Sequence, residues 1–136
     1  MSVVIPVVPG RPVLVLEDDV EVRHLLGRLL RSAGLDCAEA GTAADARALL
    51  EGGLRPAGIL LDLRMPDGGG LAFLRHLRAD ARYRMLSVAI TGDCFVDAAT
   101  QAAVLALGAS MTFKPLSKTD VVALAHRMID APSSPP

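Results

Sequence analysis

Short apolar runs and longer amphipathic segments alternate five times along the chain. Residues 13–16 form a continuous apolar run, which is typical of a strand buried on both faces of a sheet. Over residues 20–33, apolar side chains recur at helical spacing, at Val22, Leu25, Leu26, Leu29 and Leu30, and this spacing predicts an amphipathic helix. Over the whole chain, the pattern predicts strands at residues 13–16, 35–39, 59–61, 86–90 and 109–113, and helices at residues 20–33, 42–50, 70–79, 96–107 and 117–129.

Capping signals mark the start of three of these helices. Thr42 with Asp45, and Ser117 with Asp120, have the spacing of a capping box, in which a hydroxyl and an acidic side chain satisfy free amides. Asp19 directly precedes the first helix and is a good N-cap. The carboxylate of Asp19 can therefore be explained as a helix cap, as an alternative to a role in a functional site.

Five strand–helix units in 136 residues predict one α/β domain, a doubly wound parallel sheet with helices on both faces. The crossovers in such a sheet are right-handed almost without exception. Ligands bind outside the carboxyl ends of the strands, near the switch in strand order. These strand ends are therefore the place to look for chemistry.

Composition narrows the function classes. With 51% hydrophobic and 21% charged residues the chain can bury a core, and its formal net charge of -1 argues against a general polyanion-binding protein. No apolar run approaches the ~18 residues of a membrane span, and the first residues lack the features of a secretory signal. Two cysteines are too few for a disulfide scaffold or a structural zinc site. A reduced, cytoplasmic compartment without membrane attachment is expected.

The two ends of the chain are rich in proline. Residues 1–11 are expected to form a flexible extension, residues 12–130 the folded domain, and residues 131–136 a disordered tail. Because so little follows the last predicted helix, no output domain and no direct DNA binding are expected.

Polar residues follow four of the five predicted strands: Glu17-Asp18-Asp19, then Asp62, Thr91 and Lys114. Carboxylates crowded at one edge repel one another unless a cation offsets their charge, and hard oxygen ligands favour Mg²⁺. A lysine and a hydroxyl at the same point supply the donors and positive charge that hold a phosphoryl group. The set predicts phosphoryl transfer to a carboxylate, with Asp62 as the nucleophile.

These residues lie in motifs that resemble the receiver domain of bacterial two-component response regulators, over residues 13–129. The motifs are Val15-Leu16-Glu17-Asp18-Asp19, Leu61-Asp62-Leu63-Arg64-Met65-Pro66 with Gly70, Ile90-Thr91-Gly92, Gly108-Ala109 and Phe113-Lys114-Pro115. Each is weak alone, but five in this order at the ends of four strands are specific. The resemblance implies a flavodoxin-like, chemotaxis-receiver-like fold, with five parallel strands in the order 2-1-3-4-5 and five helices.

The resemblance also implies a Mg²⁺ site. Asp18 would bind the ion directly and Glu17 mostly through water, because Asp18 stands five residues before Arg23, at the family's usual spacing. Asp62 and the backbone carbonyl of Arg64 would complete the protein ligands. No other cofactor is implied.

By the same resemblance, Asp62 is the phosphoacceptor, which a sensor histidine kinase, a phosphotransfer protein or a small phosphodonor would phosphorylate. Thr91 would be the switch hydroxyl, and Lys114, whose peptide bond to Pro115 is usually cis in the family, would pair with the phosphoryl group. The implied protein is a single-domain receiver that is not an enzyme and signals through contacts with a downstream protein. Whether phosphorylation also drives homodimer formation stays open.

Two departures affect the surface through which the family usually signals. Tyr or Phe usually stands three residues before the lysine, whereas this chain has Met111, with Phe113 as its nearest aromatic residue. The spacing from Thr91 to Gly108 is also longer than usual, and that from Gly108 to Lys114 shorter. These departures keep open a degenerate receiver that works without phosphorylation.

A small Mg²⁺-dependent phosphatase with an aspartyl nucleophile is a further alternative. Such an enzyme generally needs a carboxylate two residues after the nucleophile and a cap that excludes water. Here position 64 is arginine, and no cap segment is evident.

The remaining polar groups have ordinary structural interpretations. The basic residues in and after the third helix form either a solvated face or a docking patch for an acidic partner; they are Arg75, His76, Arg78, Arg82 and Arg84. The Gly68-Gly69-Gly70 run is interpreted as a loop, because no phosphate-loop lysine follows it. The three histidines show no ligand spacing and are interpreted as surface or packing residues. The methionines are interpreted as core or half-buried residues, and the cysteines as small buried hydrophobic residues.

Overall fold

The computed structural model describes residues 11–65, 69–93 and 95–130. The predicted tail, Pro66, Gly68 and Cys94 lie outside these residues, as does the predicted N-terminal extension apart from Arg11.

Five strands alternate with five helices, as the apolar pattern predicts. The strands are β1 (Val13–Leu16), β2 (Cys37–Ala40), β3 (Gly58–Asp62), β4 (Ser87–Gly92) and β5 (Ser110–Phe113). The helices are α1 (Val20–Ser32), α2 (Ala43–Glu51), α3 (Gly69–Ala79), α4 (Ala98–Ala106) and α5 (Lys118–Asp130). In the described part of the chain, no helix is long and apolar enough to cross a membrane.

The five strands form one parallel sheet in the order β2-β1-β3-β4-β5, which confirms the predicted fold class. From β1 the chain adds β2 on one side of β1 and then crosses to add β3 on the other side. The direction of strand order therefore switches between β1 and β3. A crevice at the carboxyl ends of these two strands is the expected ligand site of such a sheet. Asp62, the last residue of β3, is in register with Thr91 on β4.

The pleat of β1 divides the core into two layers. Val13 and Val15 pack with residues of α1 and α5, whereas Leu14 and Leu16 pack with residues of α2, α3 and α4. Successive side chains of a strand point to opposite faces, so β1 is covered on both sides. This explains why β1 is apolar throughout and shows no polar alternation.

Side-chain caps begin the helices as predicted. The Asp19 carboxylate accepts hydrogen bonds from two amides in the first turn of α1, at 2.9 and 3.2 Å. Ser117 and Asp120 form a reciprocal capping box, with both hydrogen bonds at 3.1 Å. Thr42 Oγ1 accepts from the amide of Asp45 at 3.0 Å. Asp19 therefore has the structural role that its position predicts.

Most element boundaries shift by one or two residues from the sequence prediction, and two elements begin two residues late. Helix α4 begins at Ala98 rather than at residue 96, because Asp97 is its N-cap and accepts a hydrogen bond from the amide of Thr100 at 2.7 Å. Strand β2 begins at Cys37 rather than at residue 35. The amide of Leu35 is used in closing the C-terminus of α1, where it donates to the carbonyl of Leu30 at 3.1 Å.

The predicted basic face divides into residues with different environments. Arg78 is half-buried, and its guanidinium donates to the backbone carbonyls of Leu107, Leu86 and Tyr83. Arg82 instead pairs with Glu51 and Asp80 at the surface. Arg75, His76 and Arg84 are exposed, as both interpretations of the basic face require, whereas the solvated-face interpretation is wrong for the half-buried Arg78.

Apolar residues at the surface also depart from the prediction. Met85 was expected to be buried or half-buried, but it is exposed, as is Leu25 on the predicted apolar face of α1. Met128 is buried in the layer beneath α5, and His24, His76 and His126 are surface residues, the first of their two interpretations. Cys37 is half-buried, so the prediction that it is buried was wrong.

Candidate functional site

The carboxyl ends of four strands bring the predicted site residues to one edge of the sheet. Glu17 follows β1, Asp62 ends β3, Thr91 lies near the end of β4, and Lys114 follows β5. Glu17, Asp62 and Thr91 are the buried polar residues of the described chain, at 2%, 5% and 4% exposure. Polar groups this deeply buried require partners, because an unpaired buried charge is costly.

Lys114 is the partner of the two buried carboxylates. Its Nζ lies 3.0 Å from Glu17 Oε1 and 3.4 Å from Asp62 Oδ2. The ammonium can hold this position because β5 is tied to β4 at this point, where the amide of Lys114 donates to the carbonyl of Gly92 at 2.8 Å. The Lys114–Pro115 peptide bond is cis, as the resemblance implies.

An acidic cluster stands next to this ammonium. One carboxylate oxygen from each of Glu17, Asp18 and Asp62 lies within 4.8 Å of the others. Asp18 is exposed, so the cluster opens to solvent on its side. Three carboxylate oxygens without imidazole or thiol form a hard donor set that suits Mg²⁺, which keeps part of its water shell. The donor set therefore fits the implied ion.

Backbone amides hold the buried carboxylates in place. The amide of Arg64 donates to Asp62 Oδ1 at 3.1 Å, which leaves Oδ2 facing Lys114. The amide of Asp19 donates to Glu17 Oε2 at 3.2 Å, while Oε1 faces Lys114. Each buried carboxylate is therefore oriented by one backbone amide and by one shared ammonium.

Burial shifts the protonation of this pocket. Desolvation, followed by the neighbouring Asp62, raises the pKa of Glu17 from 4.5 to about 7, against the opposing effect of Lys114. Burial works against the charge of Lys114, but the hydrogen bond to Glu17 and the nearby carboxylates outweigh it, and its pKa is raised. The ammonium thus stays charged at neutral pH, and Glu17 carries its proton more readily than an exposed glutamate.

A glycine allows α3 to approach the end of β3. A Cβ at Gly70 would collide with the carbonyl of Asp62 and with the Cα of Leu63. The amide of Gly70 donates to the carbonyl of Leu63 at 2.8 Å, so the start of α3 packs directly against the chain after Asp62. This close approach explains why the motif places glycine at position 70.

Sequence reasoning assigned only a backbone carbonyl to Arg64 and did not identify Asp93. The Arg64 Nε lies 2.6 Å from Asp93 Oδ2, so an ion pair connects the loop after β3 with the loop after β4. The pair lowers the pKa of Asp93, chiefly through the hydrogen bond from Arg64. The sequence signal for this ion pair was that a basic residue, Arg64, follows β3 and an acidic residue, Asp93, follows the adjacent strand β4.

Met111 occupies the position where the family usually has an aromatic residue. A Cβ at Gly92 would collide with the side chains of Met111 and Val96, so both pack closely around the residue that follows Thr91. Met111 is half-buried, whereas Phe113 is 43% exposed and does not fill this space. The departure noted in the sequence thus lies directly against Gly92, the residue that follows Thr91 on β4.

Fold and pocket together define an α/β protein that gathers carboxylates, a hydroxyl and an ammonium at the switch point of a parallel sheet. A family model described as the response regulator receiver domain matches residues 13–126. The chain belongs to this family of two-component signalling domains, as its motifs predicted. Receiver domains typically bind Mg²⁺ at an acidic pocket, are signalling domains rather than enzymes, and interact with a sensor kinase or phosphodonor.

Curated relatives are much longer than this chain. It is 36% identical over 119 residues to the DNA-binding transcriptional regulator NtrC of Escherichia coli (strain K12). The aligned region covers 86% of this chain and 24% of that protein. It is 43% identical over 67 residues to the KDP operon transcriptional regulatory protein KdpE of the same strain, which covers 48% of this chain and 29% of that protein. The chain therefore spans less than a third of the length of these relatives.

Solved structures match nearly whole chains. A response regulator receiver protein from Pseudomonas putida superimposes with a TM-score of 0.80 at 31% identity, covering 88% of this chain and 99% of that one. The receiver domain of NtrX from Brucella abortus gives a TM-score of 0.78 at 23% identity, with the same coverage of 88% and 99%. The second similarity supports the fold alone.

Proposed function

We propose that this receiver takes up a phosphoryl group on Asp62 in the presence of Mg²⁺. The donor would be a sensor histidine kinase, a phosphotransfer protein or a small phosphodonor, and the signal would pass to a downstream protein in the cytoplasm through a changed contact surface. The observation that carries the proposal is the position of Lys114 Nζ, 3.0 Å from Glu17 and 3.4 Å from Asp62 in a buried pocket.

The proposed transfer uses groups that already converge on Asp62. A carboxylate oxygen of Asp62 attacks phosphorus, the bond from phosphorus to the donor breaks, and the leaving group keeps the electron pair. The product is an acyl phosphate on Asp62. Lys114 supplies positive charge beside Asp62 Oδ2, where negative charge on the phosphoryl oxygens would accumulate.

Glu17, Asp18, Asp62 and the backbone carbonyl of Arg64 would hold the metal. Mg²⁺, when bound, neutralises charge on the transferring phosphoryl oxygens. The chain's own contribution is orientation, because the amides of Asp19 and Arg64 each donate a hydrogen bond to one of the two buried carboxylates. A carboxylate with a fixed direction binds an ion of strict geometry without first being reordered.

A route from the pocket to the surface supports signalling by protein contact. In the proposed change, the new phosphate attracts the hydroxyl of Thr91, which is in register with Asp62 on the adjacent strand. Gly92 would move with it, and Met111 and Val96 pack against Gly92. A displacement there would reach β5 and the chain leading into α4.

The decisive experiment measures phosphate uptake from a small donor such as acetyl phosphate, with Mg²⁺ or with EDTA. Wild type is expected to take up about one phosphate, stable to acid and labile to base, only with Mg²⁺. Asp62→Asn should take up none, whereas Asp36→Asn, at an exposed aspartate before β2, should behave as wild type. Unchanged uptake in Asp62→Asn would contradict the assignment of Asp62.

Two other outcomes identify the alternative functions. Release of many phosphates per chain would indicate a phosphatase, although Arg64 and its ion pair occupy the position where that class needs a free carboxylate. Partner binding that is the same for wild type and Asp62→Asn with donor and Mg²⁺ would indicate a degenerate receiver. The Met111 departure makes this second outcome the one to test first.

A further inference from the structure

We infer that Arg23 is a positioning residue for the metal site, acting through the backbone of Glu17. The inference rests on the proposed function, because the Mg²⁺ ligands are the groups that Arg23 would keep in place. Arg23 lies in the first turns of α1, and in this assignment it contacts neither the metal nor the phosphoryl group. We call residues 17–19, which carry the acidic side chains after β1, the acidic loop.

The backbone of Glu17 is held on both sides. Arg23 Nη1 donates a hydrogen bond to the carbonyl oxygen of Glu17 at 2.9 Å. The amide of Glu17 donates to the carbonyl of Ala40, at the end of β2, at 3.1 Å. The acidic loop is therefore anchored to β2 through the amide of Glu17, and to α1 both through the Arg23 guanidinium and through the cap formed by Asp19. Without Arg23, the carbonyl of Glu17 would lose this hydrogen bond to α1.

A carboxylate on β2 lies beside the guanidinium. Glu39 Oε1 lies 3.9 Å from Arg23 Nε, and the two side chains are only 18% and 17% exposed. Glu39 Oε2 also pairs with Arg31 Nη1 at 3.0 Å. The 3.9 Å separation is too long for a hydrogen bond, so the direction of Arg23 is set by its hydrogen bond to the carbonyl of Glu17, with Glu39 as a nearby opposite charge.

Two glycines leave room for this arrangement. A Cβ at Gly41 would lie 2.6 Å from Arg23 Nη1, and a Cβ at Gly27 would lie 2.6 Å from Glu39 Oε2. Larger residues at either place would push a charged group out of position. The space that Gly27 and Gly41 leave is occupied by the groups that link β2 to the acidic loop.

The physical consequence concerns metal geometry. Mg²⁺ requires near-ideal octahedral coordination. A ligand whose position is poorly ordered therefore lowers the affinity for Mg²⁺, even when its charge is retained. Removing the partner that orients a ligand typically costs about 10- to 100-fold in metal affinity. Since Glu17 and Asp18 are consecutive, movement of the Glu17 peptide would disturb two ligands together.

The test is a calorimetric titration of the phosphate-free chain with MgCl₂. Arg23→Met should weaken Mg²⁺ binding about tenfold. Arg23→Lys, which retains the charge and one possible donor, should recover part of that loss. Arg31→Met is the matched control: Arg31 also pairs with Glu39 and donates to the carbonyl of Cys37, but it does not contact the acidic loop. Its Mg²⁺ affinity should stay within about twofold of wild type.

A second measurement does not involve the metal. In the metal-free protein, amide hydrogen exchange at Asp19 should be faster in Arg23→Met than in wild type and unchanged in Arg31→Met. The amide of Asp19 donates to Glu17 Oε2 and reports the order of the acidic loop. Circular dichroism checks that each variant is folded, and Arg23→Lys decides the question if Arg23→Met does not fold.

The possible outcomes separate this inference from the proposed function. Wild-type Mg²⁺ affinity in a folded Arg23→Met, or an equal loss in Arg31→Met, overturns the positioning role. A wild-type chain that binds Mg²⁺ but takes no phosphate overturns the assignment of Asp62 and leaves the role of Arg23 to the titration. A wild-type chain that binds no Mg²⁺ overturns both.

Discussion

Lys114 Nζ donates a hydrogen bond to Glu17 Oε1 at 3.0 Å, across a sequence separation of 97 residues. The two residues follow strands that are not neighbours, because β3 and β4 lie between β1 and β5 in the sheet. The long lysine side chain therefore reaches across the ends of two strands. This contact neutralises a pocket in which two buried carboxylates would otherwise face each other.

Replacing Lys114 by methionine should destabilise the metal-free protein. The expected loss of unfolding free energy is about 1 kcal/mol at pH 8, because the 37% exposure of the lysine side chain lets solvent screen its charge. The loss should be smaller at pH 5, where Glu17 is protonated. Phosphate uptake should also fall at least about tenfold. Urea denaturation in EDTA measures the first effect. Lys118→Met, at an exposed lysine on α5, should show neither change.

The raised pKa of Glu17 predicts a loss of stability as pH rises. Below its ordinary pKa of 4.5, Glu17 is protonated in both the folded and the unfolded chain, so it does not make the unfolding free energy depend on pH. Between 4.5 and about 7, the unfolded chain releases the proton while the folded protein keeps it, so the unfolding free energy decreases. The whole decrease is at most about 3 kcal/mol.

The measurement is urea denaturation of the metal-free protein at pH 5 and pH 8. Glu17→Gln should remove this part of the pH dependence, and Glu21→Gln, at an exposed glutamate in the first turn of α1, should retain it. An identical pH slope in wild type and Glu17→Gln would show that the proton is bound elsewhere.

Mg²⁺ should stabilise the fold by mass action, because the three carboxylates come together only in the folded chain. At a Mg²⁺ concentration about 100 times Kd, the gain in unfolding free energy should be about 2.7 kcal/mol. Asp18→Asn should lose most of this gain, because it removes the exposed carboxylate of the cluster. Thermal melts with MgCl₂ and with NaCl at equal ionic strength make the comparison. Equal melting temperatures in the two salts would argue against a metal site.

The fold and the members of the pocket could be predicted because the ends of buried parallel strands can be identified from the sequence. A strand buried on both faces is apolar throughout, so the first polar residue after it marks the strand end, as Glu17 and Asp62 do. The carboxyl ends of parallel strands share one edge of the sheet, which places those residues together without knowledge of any loop. Helix starts were predictable for a similar reason, since Asp19 and Ser117 satisfy amides within a few residues of themselves.

Side-chain pairing across elements could not be predicted in the same way. Arg64 and Asp93 both follow strands, but nothing in their spacing shows that they meet. Arg75, Arg78 and Arg82 form one basic run in the sequence, yet only Arg78 is directed inward. The direction of a long side chain depends on which carbonyls or carboxylates the tertiary structure leaves within its reach, and hydrophobic periodicity does not record this.

Arg78 should therefore contribute to stability, whereas its neighbour on the same helix should not. Its guanidinium donates to the carbonyls of Leu86, at the start of β4, and Leu107, at the end of α4, so it joins α3 to both segments. Arg78→Met should lower the unfolding free energy by about 2 kcal/mol, because partly buried carbonyls lose charge-assisted hydrogen bonds. Arg75→Met, at an exposed position of α3, should change it by less than about 0.5 kcal/mol. Urea denaturation of both variants measures the difference. Equal stabilities would mean that water replaces the guanidinium at these carbonyls without loss, and that the contacts of Arg78 do not hold the end of α4.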